Sequence, residues 1–211
     1  TARKILLASL VAFYDKGLDF CEIMKVLFTH GPMELFQLIA AQKNQRAVGY
    51  IQTLAQENEK NIAGATAAGL KVGVYFYSQA INAEEAAEEA RFVVERLRGT
   101  NVSGPIAYDL EFYTADEART DDLTGEQATQ NALAFCDVIR QAGYEPVVYM
   151  NLHWAGSMYG MEELAHLPVW LASYGPVPAL DRGVTLWQYS ESGVVDGVEG
   201  PVDLDLWFTK E

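Results

Sequence analysis

The chain has 211 residues, half of them hydrophobic, and 15 basic against 29 acidic side chains give a formal net charge of -14. That size suffices for a real core in a single domain over residues 1–211. An acidic surface repels phosphate backbones, and no apolar run reaches a membrane span, so no nucleic-acid or membrane partner is expected; a monomer is the expected state.

The opening stretch, TARKILLASLVAFY, has a basic start and an apolar middle but no small-residue cleavage site. It reads as a first strand rather than a secretion signal. DFCEIMKVLFTHG then reads as a helix and MELFQLIAA as a second strand, while residues 42–61 show no clear period. Two cysteines, Cys21 and Cys136, do not make a disulfide framework and are expected as buried thiols on helices.

From Ile62 the pattern is regular. A helix end stops at Gly69 and a strand is expected over Lys71 to Tyr77. Ala83, Ala86, Ala87, Ala90, Val94 and Leu97 recur at helical spacing, with Asn82 as N-cap and Glu85 three residues on. This helix ends at Gly99 or within residues 101–104, and PIAYDL follows as a short strand. Thr124 and Gln127 form a capping-box pattern ahead of the stripe Ala128, Ala132, Phe135 and Ile139, and Gly143 is the stop. PVVYMN, PVWLASY, VTLWQYS and VDLDLWF read as the remaining strands.

Strands that alternate with helices predict a parallel sheet with helical crossovers. The strands look like continuous apolar runs, as when both faces are buried. A closed or nearly closed β/α barrel accounts for this best. The alternative is a doubly wound open sheet, whose dinucleotide version would carry a G-x-G-x-x-G that is absent here.

PIAYDLEFY places Asp109 and Glu111 directly after an apolar run. Residues two apart in a strand share a face, about 6.5–7 Å apart at Cα. In barrels and open α/β sheets, functional groups gather at the carboxyl ends of the strands. Glycoside hydrolysis commonly uses two carboxyl groups, one donating a proton to the leaving oxygen, the other attacking or stabilising the sugar cation. A charged Asp109 would help keep Glu111 protonated. By itself D-x-E is a weak signal among 29 acids, and a solvated loop entrance explains it as well.

Other strand ends carry Tyr75 and Tyr77, Tyr149 and Asn151, Trp170 and Tyr174, Trp187 and Gln188, and Asp203. Flat aromatic faces suit sugar rings, and polar tips suit hydroxyl and acetamido groups. For any single ring, core packing is the simpler account; Gln188 and Asp203, in apolar strands, point more to a site. Three scattered histidines, His30, His153 and His166, lack ligand spacing, so neither a metal nor another cofactor is expected. No G-x-S-x-G elbow or Walker loop is present, and Cys136 has no obvious base.

Four stretches together resemble the glycoside hydrolase family 25 lysozymes, the N-acetylmuramidases: NIAGATAAGLKVGVYFYSQA, GPIAYDLEFY, PVVYMNLHW with PVWLASY, and LWQYSESGVVDGVEGPVDLDLWF. The likeness covers roughly the last two-thirds of the chain. It implies an irregular TIM-like barrel of eight strands with about five crossover helices. It also implies cleavage, with retention, of the β-1,4 bond between N-acetylmuramic acid and N-acetylglucosamine in bacterial cell-wall peptidoglycan. A secreted or wall-acting lysin would do this. Glu111 would be general acid and then base. Asp109 would be either the nucleophile or the group that orients the substrate's acetamido as nucleophile. Asp203 falls on the family's late aspartate, and Asp205 stands where the family has Asn.

The start departs from the pattern. Counting back from GLDF, an echo of the family's I-D-W turn, puts Leu10 where a first-strand Asp is expected, with Asp15 and Asp19 nearby. Two further readings follow: a barrel that binds wall glycan without turnover, and a barrel with another hydrolase activity.

Overall fold

The computed structural model describes residues 59–111 and 118–208. The expected first two strands, Leu10, Asp15, Asp19, Cys21 and His30 lie outside the described residues. Residues 59–67 are helical, a continuation the unpatterned stretch before Ile62 did not announce. Six strands follow: β1 (Val74–Tyr77), β2 (Ile106–Asp109), β3 (Pro146–Asn151), β4 (Val169–Ala172), β5 (Leu186–Gly193) and β6 (Val202–Trp207). Helix α1 (Ala83–Arg96) joins β1 to β2, α2 (Gly125–Gln141) joins β2 to β3, and the short α3 (Leu152–Ser157) follows β3.

The helix ends are those the residues dictate. Asn82 caps α1 by accepting from the Glu85 amide, and Thr124 and Gln127 close a reciprocal capping box on α2. Gly99 and Gly143 follow the two helices at φ 80° and 88°, a left-handed conformation that a Cβ would oppose. β1 is shorter than expected. Residues 71–73 leave the ladder because the chain there runs against residues 103–105: a Cβ on Gly73 would lie 2.7 Å from the Pro105 carbonyl oxygen.

The sheet order is β1-β2-β3-β4-β5-β6, parallel through β5, with β6 antiparallel to β5. A doubly wound sheet reverses its order at a switch point; this one does not. Unreversed order with crossovers of one hand places the helices on one face. There Ile106, Tyr108, Leu110, Met150 and Leu171 pack with Phe135 and Ile139 of α2 in one core. Phe135 meets Tyr108 at 5.2 Å and Phe76 at 6.2 Å between ring centroids.

The opposite face is not the second apolar layer that continuous apolar runs imply. Burial alternates along β1, where Tyr75 is 65% exposed. This face is concave. β1 and β4 are three strand spacings apart, about 14 Å in a flat sheet, yet the Tyr75 and Trp170 rings meet at 6.3 Å. Lys71, just before β1, lies over the Trp207 ring of β6 at 5.5 Å.

Candidate active site

Strand register decides which side chains share the concave face. Tyr77 pairs with Asp109, Tyr149 with Trp170, and Ala172 with Gln188, which pairs in turn with Asp205. Side chains directly opposite one another across a ladder point the same way, and Asp203 shares the face of Asp205 by the two-residue period. The upper ends of β1 to β5, with β6 returning beside them, therefore bring together carboxyl groups, phenols and one indole.

Asp109 is the last residue of β2 and only 7% exposed. Glu111 lies beyond the strand and is half-buried, so the two acids do not share a regular strand face. The ladder's last rung is at Asp109, and beyond it the backbone of Glu111 meets a side chain instead. The Asp109 carbonyl accepts from the Ser78 amide at 2.7 Å, and the Glu111 carbonyl accepts from the Tyr77 hydroxyl at 3.4 Å.

Both acids bind protons more tightly than ordinary carboxylates. Burial, and then the charge of Glu111, pushes Asp109 up to about 7. Burial also raises Glu111, the nearby Asp203 charge adds to it, and a hydrogen bond from Tyr149 works the other way. Loss of water, more than mutual repulsion, is thus the main cause, and the elevation falls on both members. Asp109 is itself raised, instead of remaining a plain charged neighbour for Glu111. Its Oδ1 is buried without a hydrogen-bond partner among the described residues.

The surrounding groups form one network. Tyr149 contacts Glu111, its hydroxyl lies 3.5 Å from Gln188 Oε1, and its ring meets Trp170 edge-on at 5.1 Å. Tyr174 donates to the same Gln188 oxygen at 2.8 Å, and burial with the Glu191 charge pushes its phenol up to about 12. Gln188 is 4% exposed and acts as an acceptor hub. Tyr75 and Tyr77 are exposed on β1. Trp187 sits in register with Leu171, on the helix-side face, and donates to the Ser173 carbonyl at 2.8 Å.

Asn151 is committed locally: its side-chain oxygen accepts from the Trp154 amide at 3.0 Å and caps α3. Asp205 does more than its expected place as a variant position implied. It accepts from the Trp170 indole at 2.7 Å and fixes the ring that packs on Tyr149. The alternation in VDLD was the signal that placed Asp205 beside Asp203. Cys136 is a buried free thiol on α2, raised by burial to about 12, consistent with a structural role. Among the described residues no group of three His, Cys, Asp or Glu is placed to hold a metal ion, and no helix is long and apolar enough to cross a membrane.

The family model for glycosyl hydrolases family 25 matches residues 39–198, a range that holds every site residue above except Asp203 and Asp205. The chain is 29% identical over 143 residues to an autolytic lysozyme of Clostridium acetobutylicum, covering 67% of this chain and 41% of that protein. Among solved structures it resembles the modular autolysin LytC of Streptococcus pneumoniae in complex with a synthetic peptidoglycan ligand. The TM-score is 0.62 at 26% identity, over 72% of this chain and 37% of that one. It also resembles the CTP1L endolysin, with a TM-score of 0.59 at 26% identity, over 71% and 51% of the two chains. The chain thus spans about half or less of the length of these relatives. With more than half of its length matched by the family model, the chain belongs to the glycosyl hydrolases family 25.

Proposed function

We propose that this chain is a peptidoglycan hydrolase, a muramidase that cuts the β-1,4 bond between N-acetylmuramic acid and N-acetylglucosamine with retention. The observation that carries this reading is the acid pair Asp109–Glu111, raised by burial at the carboxyl end of a parallel strand and facing a concave aromatic surface. The family and its autolysin and endolysin relatives supply the substrate class.

The chemistry follows from the carboxyl groups. The pair holds a proton near neutral pH. Glu111, the more exposed member, presents it to the glycosidic oxygen and later takes a proton from water. Asp109, itself raised to about 7, acts in its ionised form, either as nucleophile or by orienting the substrate's acetamido group, so the active state is the one with the shared proton on Glu111. Asp203 adds negative charge where the sugar carbon becomes cationic. Tyr149 holds the Glu111 carboxyl, Gln188 and Tyr174 offer polar tips, and Tyr75 and Trp170 offer flat faces to sugar rings. Tyr77 and Asn151 frame the same strand ends.

The unreversed parallel order with helices on one face supports the eight-stranded TIM-like barrel as part of this reading. The protein would act as a monomer on the bacterial wall from outside the cell, or as a lysin released against it. Glu111→Gln is expected to lower the clearing of wall suspensions on the order of 10³-fold while the melting temperature stays within a few degrees. Clearing retained by the variant, or an unfolded variant, refutes the assignment. Clearing is expected without added metal, and inhibition by EDTA would count against carboxyl-only chemistry.

A second reading rests on one expectation from the sequence, that Leu10 stands where the family has its first-strand Asp. It is a barrel that binds wall glycan without turnover. Sedimentation of the protein with purified walls, without clearing, would select it.

A further inference from the structure

A third carboxyl group is buried on the helix side of the sheet, where the chemistry above does not use it. Glu89 of α1 is 3% exposed, among the buried residues Ala86, Ala90 and Val93. Nothing in the amphipathic pattern of the helix requires an acid there. Both of its oxygens are engaged with the turn that leaves β1: Oε2 accepts from Ser78 Oγ at 2.7 Å and Oε1 from the Gln79 amide at 2.9 Å. The same turn is held elsewhere too. Ser78 Oγ accepts from the Ala80 amide at 3.3 Å, Asn131 Nδ2 of α2 donates to the Ala80 carbonyl at 2.9 Å, and Arg119 donates to the Gln79 carbonyl at 2.9 Å while paired with Glu85.

The end of β1 that leads into this turn touches the backbone of both acids, at the last rung of the β1–β2 ladder and just beyond it. The Ser78 amide donates to the Asp109 carbonyl, and the adjacent Tyr77 hydroxyl donates to the Glu111 carbonyl. We propose that Glu89 is a positioning residue for the acid pair: its carboxylate clamps the turn at residues 78–80, which in turn sets the backbone of Asp109 and Glu111. The inference rests on the muramidase reading for its catalytic meaning, and on geometry alone for the clamp.

A carboxylate matches the two donors this turn presents. It accepts from two donors at once, and the Gln79 amide, being backbone, cannot turn away. A glutamine keeps an acceptor for the Gln79 amide but turns its N–H group on Ser78 Oγ, so the Ser78 hydroxyl must stop donating to residue 89 and turn elsewhere, which loosens the clamp. The folded chain keeps the acid although burial pushes Glu89 up to about 7, with Glu85 adding to the rise and Arg119 and the two hydrogen bonds opposing it. The Tyr108 phenol of β2 is the other titratable group that feels the Glu89 charge.

The test compares wild type, Glu89→Gln, Ser78→Ala and the double variant on a soluble glycan oligomer. It is paired with carbon-detected NMR titration of the Asp109 and Glu111 carboxyl groups. Each single variant is expected to lower kcat about tenfold with KM within about twofold, since small misplacements of reacting groups act on rate more than on binding. The double variant should be no worse than the singles, because the two residues act as one unit. The Asp109 titration should shift in both single variants. A folded Glu89→Gln with wild-type kcat and an unmoved Asp109 titration overturns the proposal, as do losses that multiply in the double variant. Should Glu89→Gln fail to fold, Ser78→Ala decides by the same two readouts. A wild type that does not cleave the oligomer removes the muramidase reading, and the titration then decides the clamp by itself.

Discussion

Asp109 and Glu89 set the same physical problem on opposite faces of one sheet: a carboxyl group taken out of water. Each is raised to about 7, from ordinary values of 3.8 and 4.5. Between the ordinary value and the raised one, the folded chain binds more protons than the unfolded chain, so stability falls as pH rises and levels off above about 7. Denaturant melts between pH 4.5 and 7.5 should therefore show a declining unfolding free energy, and Glu89→Gln should lessen the decline. A wild-type stability that climbs across this window would contradict the assignment. Tyr149 acts on the pair in the other direction. Its hydrogen bond lowers Glu111, so Tyr149→Phe should move the basic limb of the pH–rate profile upward. An unmoved or lowered limb would show that the phenol does not hold Glu111.

At the scale of elements, two glycines with opposite surroundings give a paired expectation. Gly104 sits where the strand entries of β1 and β2 meet, and a Cβ there would lie 2.8 Å from the Gly73 amide nitrogen, which is backbone and cannot yield. Gly104→Ala should cost more than about 1 kcal/mol. Gly64 lies exposed in the helical residues 59–67 with nothing within 4 Å of an added Cβ. Gly64→Ala should stabilise by up to about 1 kcal/mol. Urea melts of both check the pair, and equal shifts of one sign would refute it. Helices α1 and α2 were legible from the sequence because their caps are side-chain chemistry: Asn82 and Thr124 announce the start, and Gly99 and Gly143 the stop. The short α3 was not, since Asn151 continues the alternation of β3 while its side chain already caps the next turn. The end of β2 was hidden for a related reason. Nothing in AYDLEF shows that the ladder stops at Asp109, whose carbonyl takes the last rung from the Ser78 amide, or that the Tyr77 hydroxyl meets the Glu111 carbonyl beyond it.

At the scale of the molecule, the sheet's curl makes the site. Residues far apart in the strand order, Tyr75 and Trp170, or Glu111 and Asp203, become neighbours only because the sheet bends toward its polar face. Sequence patterning placed Asp109, Tyr149, Gln188 and Asp203 at strand ends. It could not show that Asp205 holds the Trp170 indole or that Glu89 backs the acid pair from behind, because both depend on packing between distant elements. The most direct test of the central claim is to digest purified peptidoglycan, reduce the fragments with borohydride and identify the new ends. The account predicts reduced N-acetylmuramic acid from wild type and almost none from Glu111→Gln; reduced N-acetylglucosamine, or equal yields from the two proteins, would contradict it.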